Sequence, residues 1–210
     1  EGMLTWGFDQ LGTMATIYNY DYYPKHMEKL GGWEKDNDYV EYRLDVPETA
    51  PEKYTKIAEM VEKRYNLHVR KLTKKEIFEG DYGKKLFDLI NVTYANLYGF
   101  SELTDRQIDQ YVKMYFPLAD LDLITVIEDG NKDNQLVGLA ITIPSLTRAL
   151  QKCHRGRLFP FGWWHLLRAI KFHKTEVVDL LLIGVLPEYR SKGANSLVFA
   201  DLIPRYVKYG

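Results

Sequence analysis

A single cysteine, Cys153, stands among 210 residues, so no intrachain disulfide can form and a reducing, cytoplasmic setting is expected. No apolar run approaches the roughly 20 residues that a membrane-spanning helix needs. Charge of one sign is missing too: the formal net charge is −1, which leaves no protein-wide basic field for nucleic acid. The five histidines show no H-x-x-x-H spacing and Cys153 has no C-x-x-C partner, so no metal is expected. The opening residues, EGMLTWGFDQ, lack the basic region and apolar stretch of a signal peptide. There is no short tandem repeat of the solenoid kind.

What is present is core-forming material. Hydrophobic residues make up 46% and charged residues 27%, the balance of a globular chain and not of a disordered one. The length suits one larger domain, or one domain with a piece of another.

The pattern divides near 47–66. Before it, MLTWGF (3–8) reads as a short strand. YYPKHMEKLGG (22–32) reads as a helix with Pro24 in its first turn and Gly31 or Gly32 at its end. In DYVEYRLDV (38–46), Tyr39, Glu41, Arg43 and Asp45 alternate with Val40, Tyr42, Leu44 and Val46, as in a half-buried strand. Pro47 and Pro51 then mark a break. Tyr54, Ile57, Ala58, Val61 and Tyr65 recur at helical spacing and predict a connector helix.

From residue 67 the order is strand, helix, helix, hairpin, insert, strand, helix. LHVRKL (67–72) opens it. Helices follow over 83–99, with Leu86, Leu89, Ile90, Thr93 and Leu97 along one stripe, and over 101–116, capped by Thr104 with Asp105 in the first turn. LDLITVIEDG (121–130) and LVGLAITIP (136–144) form a hairpin around a polar turn. Residues 145–175 are an irregular insert with helices near 145–152 and 162–171. EVVDLLLIGV (176–185) is the most apolar strand and is expected at the centre of the sheet, covered on both faces. ANSLVFADLIPRYVKYG closes the chain as a helix that Pro204 bends. The fold class is α/β, with a mixed α+β sheet.

The stretch PEYRSKGANS (187–196) stands between that apolar strand and the last helix. A helix N-terminus leaves backbone N–H groups unspent and carries partial positive charge, so a tight turn into it makes an anion site. Arg190 and Lys192 add cations, Gly193 permits close approach or a positive φ, and Ser196 offers a hydroxyl. The plain alternative is a basic surface turn that caps a helix.

VLPEYRSKGANSLVFADLI resembles the acyl-CoA-binding motif of the GNAT superfamily of N-acetyltransferases, an apolar strand followed by a Q/R-x-x-G-x-G/A loop and a helix. Here the loop is Arg190-Ser191-Lys192-Gly193-Ala194-Asn195, with Asn195 where the family has Gly or Ala. The resemblance implies a GNAT-like, acyl-CoA N-acyltransferase fold over 67–210. It also implies acetyl-CoA or another acyl-CoA as co-substrate and an amine-bearing acceptor. Loop N–H groups would hold the pyrophosphate, and backbone N–H groups near Ile183 and Val185 the thioester oxyanion. A GNAT domain continues past this helix with a strand, a helix and a hairpin. Residues 1–46 resemble those elements, HMEKLGGWEKD included, and are expected to pack on the sheet of 67–210. Either the chain is cut from a double-GNAT protein, or residues 1–46 complete the sheet in cis or in trans. Unpaired edge strands invite the latter, and a homodimer with it.

For the base that removes the amine proton, Asp179 is the leading candidate and Glu176 the second. The competing reading is that Asp179 pairs with a cation or faces water. The family's acidic tyrosine has no counterpart, since Met27 holds that position. Cys153 and His154 are adjacent within KCHRGR, which reads as a solvated turn. The insert, RALQKCHRGRLFPFGWWHLLRAIKFHK (148–174), is basic and carries Phe159, Phe161, Trp163 and Trp164. It reads as a substrate lid, as a surface around 159–171 that touches a membrane or partner, or as two helices packing their aromatics inward. Two functions are expected from this: an acyl-CoA-dependent N-acyltransferase, or a non-catalytic module of the same fold that binds acyl-CoA or a partner protein.

Overall fold

A computed structural model describes residues 2–117, 119–172 and 175–209. The chain separates into two compact units, one of Asp45–Ile143 with Val178–Gly210 and one of Glu1–Leu44 with Pro144–Val177.

The first unit holds the sheet. Its strands are β1 (Leu67–Arg70), β2 (Ile124–Asp129), β3 (Gln135–Pro144) and β4 (Val178–Val185), in that spatial order. β1 and β2 pair antiparallel, as do β2 and β3, with a register shift between Ile127 and Glu128. The Leu186 N–H donates to the Val137 carbonyl at 2.9 Å, which continues the antiparallel pattern from β3 to β4.

The centre of the sheet is not the most apolar run. β2 is buried at all six positions, although it ends in Glu128 and Asp129. β4 is outermost in this order, and Leu180 and Leu181 on it are exposed. An apolar run of strand length reports the wish to be covered, not a place in the sheet. β2 can be central because its carboxylates are partnered: Tyr82 donates to Glu128, Arg70 lies 3.2 Å from it, and the Tyr189 hydroxyl donates to Asp129 at 2.7 Å.

Helices cover the sheet. α2 (Glu52–Tyr65) buries Ala58 and Val61 and packs along α9 (Asn195–Tyr209), which buries Ser196, Leu197, Val198, Leu202 and Ile203 and contains Pro204. α2 therefore belongs to the core of this unit. α3 (Lys74–Phe78) starts at a capping box between Thr73 and Glu76, an S/T-x-x-E signature in the sequence. α4 (Tyr82–Tyr94) buries Leu86, Leu89, Ile90 and Thr93. It ends at Tyr94, so Leu97 falls off the expected stripe and is exposed. α5 (Asp105–Tyr115) begins as expected at Thr104, whose side chain accepts from the Gln107 N–H.

Lys71 ties α9 to the β1–β2 side through Asp201, and Arg205, paired with Asp201 within α9, reaches Asp122 ahead of β2 at 3.4 Å. Lys71 Nζ is 2.6 Å from Asp201 and 2.8 Å from the Ile124 carbonyl, and the Thr125 hydroxyl donates to the same carboxylate at 2.6 Å. Burial pulls the Lys71 ammonium below its usual range, against the upward pull of Asp201.

In the second unit, α1 (Tyr22–Leu30) is present, with Gly31 at φ +68° closing it. No residue from 2 to 46 is buried, and 3–8 and 38–46 are not strands. Alternation in sequence makes a strand only where a ladder of backbone partners forms, and 38–46 is not in a strand. α6 (Thr147–Gln151) and α7 (Gly162–Lys171) occupy the insert at the expected places. The last basic residues of its motif, His173 and Lys174, lie outside the described residues, as does Gly210.

Candidate functional site

The site is assembled where β4 runs out and α9 begins. After Val185 the chain makes α8 (Pro187–Arg190), with Pro187 in its first turn, then turns at Ser191–Ala194 into α9. Gly193 sits at φ +81°. A Cβ there would stand 3.4 Å from Ile57 and 3.5 Å from Val61, an ordinary distance, so the backbone angle and not lack of room calls for glycine.

Several loop donors are already used. The N–H groups of Lys192, Gly193 and Ser196 donate to Tyr189, Arg190 and Gly193 carbonyls, and the Ser196 hydroxyl, which is buried, donates to the Gly193 carbonyl at 2.8 Å. The N–H groups of Ala194 and Asn195 donate to no described residue. Two adjacent unspent donors therefore stand at the start of a fifteen-residue helix, where the helix dipole adds positive potential. Ala194 is buried and Asn195 exposed.

The cations divide their work. Arg190 Nε donates to the Val185 carbonyl at 3.0 Å and a terminal nitrogen donates to the Thr93 carbonyl at 3.1 Å, so this side chain ties the end of β4 to α4. Lys192 Nζ lies 4.0 Å from the centre of the Tyr189 ring and 5.4 Å from that of Tyr65. Lys132 stands 5.2 Å from the same Tyr189 ring. Tyr189 is fully buried, and burial together with the Asp129 carboxylate pushes its phenol up. Burial alone would push Asp129 up as well, but the hydrogen bonds from Tyr189 and the Asn131 N–H, with Lys132 and Lys192 near, hold it below the usual carboxylate range. Asp129 and Tyr189 thus form a rigid floor on which Lys192 rests beside the loop.

The open edge of β4 is partly occupied. Alternation along an antiparallel strand turns Ile183 and Val185 the same way, away from β3. The Tyr94 hydroxyl reaches this edge from α4, donating to the Ile183 carbonyl at 3.0 Å and accepting from the Ile183 N–H at 3.1 Å. Gly184 makes that approach feasible: a Cβ there would meet Thr93 Oγ1 at 2.6 Å. Neither role could be found by motif. The signal was only that Tyr94 adjoins the buried Thr93 on α4 and that a glycine interrupts an apolar strand.

Of the candidate bases, Asp179 is buried on β4, whereas Glu176 is exposed and paired with Arg148. They fall in different units. Cys153 is not in a solvated turn. It is buried, with Sγ 3.4 Å from the Ala149 carbonyl and 3.5 Å from the Gly162 carbonyl, and it pins α6 to α7. His154, Arg155 and Arg157 beside it are exposed. No group of three or more potential metal ligands occurs among the described residues.

The fold and this loop define a mixed α/β protein with an anion-ready helix N-terminus behind a sheet-edge strand. No family model matches the chain, and no solved structure matches it. Two curated proteins are distantly similar. One, called bacterial ceramide synthase, from Caulobacter vibrioides, is 23% identical over 90% of this chain and 47% of its own length. The other, Protein YghO from Escherichia coli, is 24% identical over 97% of this chain and 50% of its own length. The chain therefore spans about half the length of these relatives.

Proposed function

We propose that the chain carries the acyl-CoA-binding part of an N-acyltransferase with a GNAT-like fold, and that its acceptor is a long-chain amine. The observation that carries the reading is the turn at Gly193, which leaves the Ala194 and Asn195 N–H groups unspent at the start of α9, directly after β4. The similarity to a protein called a ceramide synthase supports the acyl transfer. A ceramide is the amide of a fatty acid with a long-chain amino alcohol, so that name favours a long acyl chain over acetyl.

In this reading the pyrophosphate of acyl-CoA lies on the Ala194 and Asn195 N–H groups, with Lys192 above it. The thioester extends along the open edge of β4. The amine nitrogen attacks the thioester carbon, the oxyanion is received by an edge N–H such as that of Val185, the C–S bond breaks and the thiolate takes up a proton. Asp179, buried on β4, is the base this reading prefers, and the exposed, paired Glu176 is the weaker choice.

One observation favours binding without turnover. Tyr94 occupies both backbone groups of Ile183, so that N–H is spent unless the phenol leaves. Calorimetric titration with coenzyme A, acetyl-CoA and a long-chain acyl-CoA, followed by mass spectrometry of a mixture with a long-chain amino alcohol, tests both readings. Binding that weakens at least tenfold in Gly193→Val, with amide product, supports the transferase. Binding without product supports the binding module. Absence of binding by all three ligands overturns both.

A further inference from the structure

The insert presents its aromatic side chains outward. Phe159 is 77% exposed, Phe161 71%, Trp163 45% and Trp164 42%, with Leu158 and Phe172 exposed beside them. The inward-packing reading of this segment is therefore overturned. Gly162 and Ala169 are the buried positions of α7 and Leu166, Leu167 and Ile170 are half-buried, so the helix packs through small and aliphatic residues and leaves Trp163, Trp164, Arg168 and Lys171 exposed. A Cβ on Gly162 would stand 2.2 Å from the Arg157 carbonyl, which shows how closely the preceding loop is folded against this end.

The cluster is built, not loose. Trp163 donates its indole N–H to the Pro160 carbonyl at 2.9 Å, its ring meets Trp164 edge-on at 5.8 Å, and Trp164 meets Phe172 at 6.0 Å. The Trp164 indole N–H donates to no described residue. Charge around it has one sign. No Asp or Glu occurs between Asp133 and Glu176. Lys152, Arg155, Arg157, Arg168 and Lys171 are exposed, and among the described residues none of them makes an ion pair. On α7 the outward face carries Trp164, Arg168 and Lys171 together.

We propose that this face of α6–α7 docks on the surface of an anionic phospholipid bilayer. Indole and phenyl groups enter the headgroup boundary, where an apolar body and a free indole N–H are both accommodated. The five cations meet lipid phosphates. α7 has ten residues and spans about 15 Å, half of the roughly 30 Å hydrocarbon core, so it lies on the surface and does not cross. No helix among the described residues is long and apolar enough to span a membrane. The complementarity selects the occupant: a neutral apolar partner would leave five cations facing it unpaired. This docking stands without acyl-CoA and without turnover, so its failure leaves the transferase reading untouched.

Flotation of the chain with vesicles of equimolar phosphatidylcholine and phosphatidylglycerol, against pure phosphatidylcholine, tests it. The chain is expected to float with the anionic vesicles and to be released by high salt. Arg157→Glu with Arg168→Glu is expected to weaken partition by about fivefold for each charge removed, and more for reversal. Phe161→Ser with Trp164→Ser is expected to weaken it by about tenfold or more. Circular dichroism establishes that each variant keeps its fold. If the chain floats with neither vesicle, or floats equally well with both double variants, the proposal is overturned; recruitment only by another protein gives the first result.

Discussion

Tyr189, Tyr82 and Tyr94 in the sheet unit bury all or part of the ring and spend the hydroxyl on Asp129, Glu128 and the Ile183 backbone. Tyr18, Tyr20, Tyr22 and Tyr23 in the other unit are exposed and stack on one another, Tyr22 and Tyr23 at 4.6 Å between ring centres. The same side chain does different work because the sheet unit supplies buried carboxylates and strand edges, and the described residues of the other unit show no buried carboxylate. Aromatic content by itself says nothing about where a core lies.

The widest gap between the units appears on truncation. Leu197→Ala removes a fully buried side chain of α9 and is expected to cost about 2–5 kcal/mol in a urea titration. Trp164→Ala, an equally drastic change on the exposed face of α7, is expected to cost less than about 0.5 kcal/mol. Comparable losses would erase the distinction between the units.

Tyr189→Phe removes a donor from a buried carboxylate and is expected to cost about 1.5–3 kcal/mol. Acid sharpens this. Asp129 is held below its ordinary value of 3.8, so its contribution is fully present above that pH and is lost as pH falls through the lowered value of the folded state. Denaturant midpoints followed from pH 5 downward are expected to fall more steeply in the wild type than in Asp129→Asn.

Gly184→Ala places a methyl against Thr93 and is expected to cost about 1–3 kcal/mol by overpacking α4 on β4. Loosening of Tyr94 should accompany it, visible as faster hydrogen exchange at the Ile183 amide. The smallest signal is spectroscopic. Burial, with the hydrogen bond to Glu128 and its charge, pushes the Tyr82 phenol from 10.0 up to about 12. The folded state therefore holds this proton longer than the unfolded chain, and the stability it contributes is lost as pH rises from about 10 toward 12. Tyr189, Tyr206 and Tyr209 are also pushed up by burial, so an absorbance titration should show a late phenol phase whose amplitude falls by one tyrosine in Tyr82→Phe.

Much of the sheet unit was legible. Thr104 announced α5, the polar turn EDGNKDNQ announced the β2–β3 hairpin, and the spacing of Ala58 and Val61 announced α2. The loop at Gly193 was legible as a turn into a helix because only a positive φ demands glycine there. Arg190 was not legible as a structural tie. Its guanidinium bonds to the Val185 and Thr93 carbonyls across 97 residues of sequence in the second case, and no local pattern encodes that distance. For the same reason Arg190→Ala is a poor probe of phosphate binding, and Gly193 and Lys192 are better ones.

Sequence by itself determined the order of the long elements from residue 67 onward, the Thr104 cap and the turn at Gly193, because these depend on periodicity and backbone angles within a few residues; the short helices α3 and α8 were not read from it. Tertiary structure alone decided that β2 and not β4 is central, that Tyr94 covers the edge of β4, and that the insert faces its aromatics outward. Each of those depends on which partner a group meets across the fold. A buried carboxylate, an unpaired strand edge and an apolar face look alike in sequence until the partner is in place.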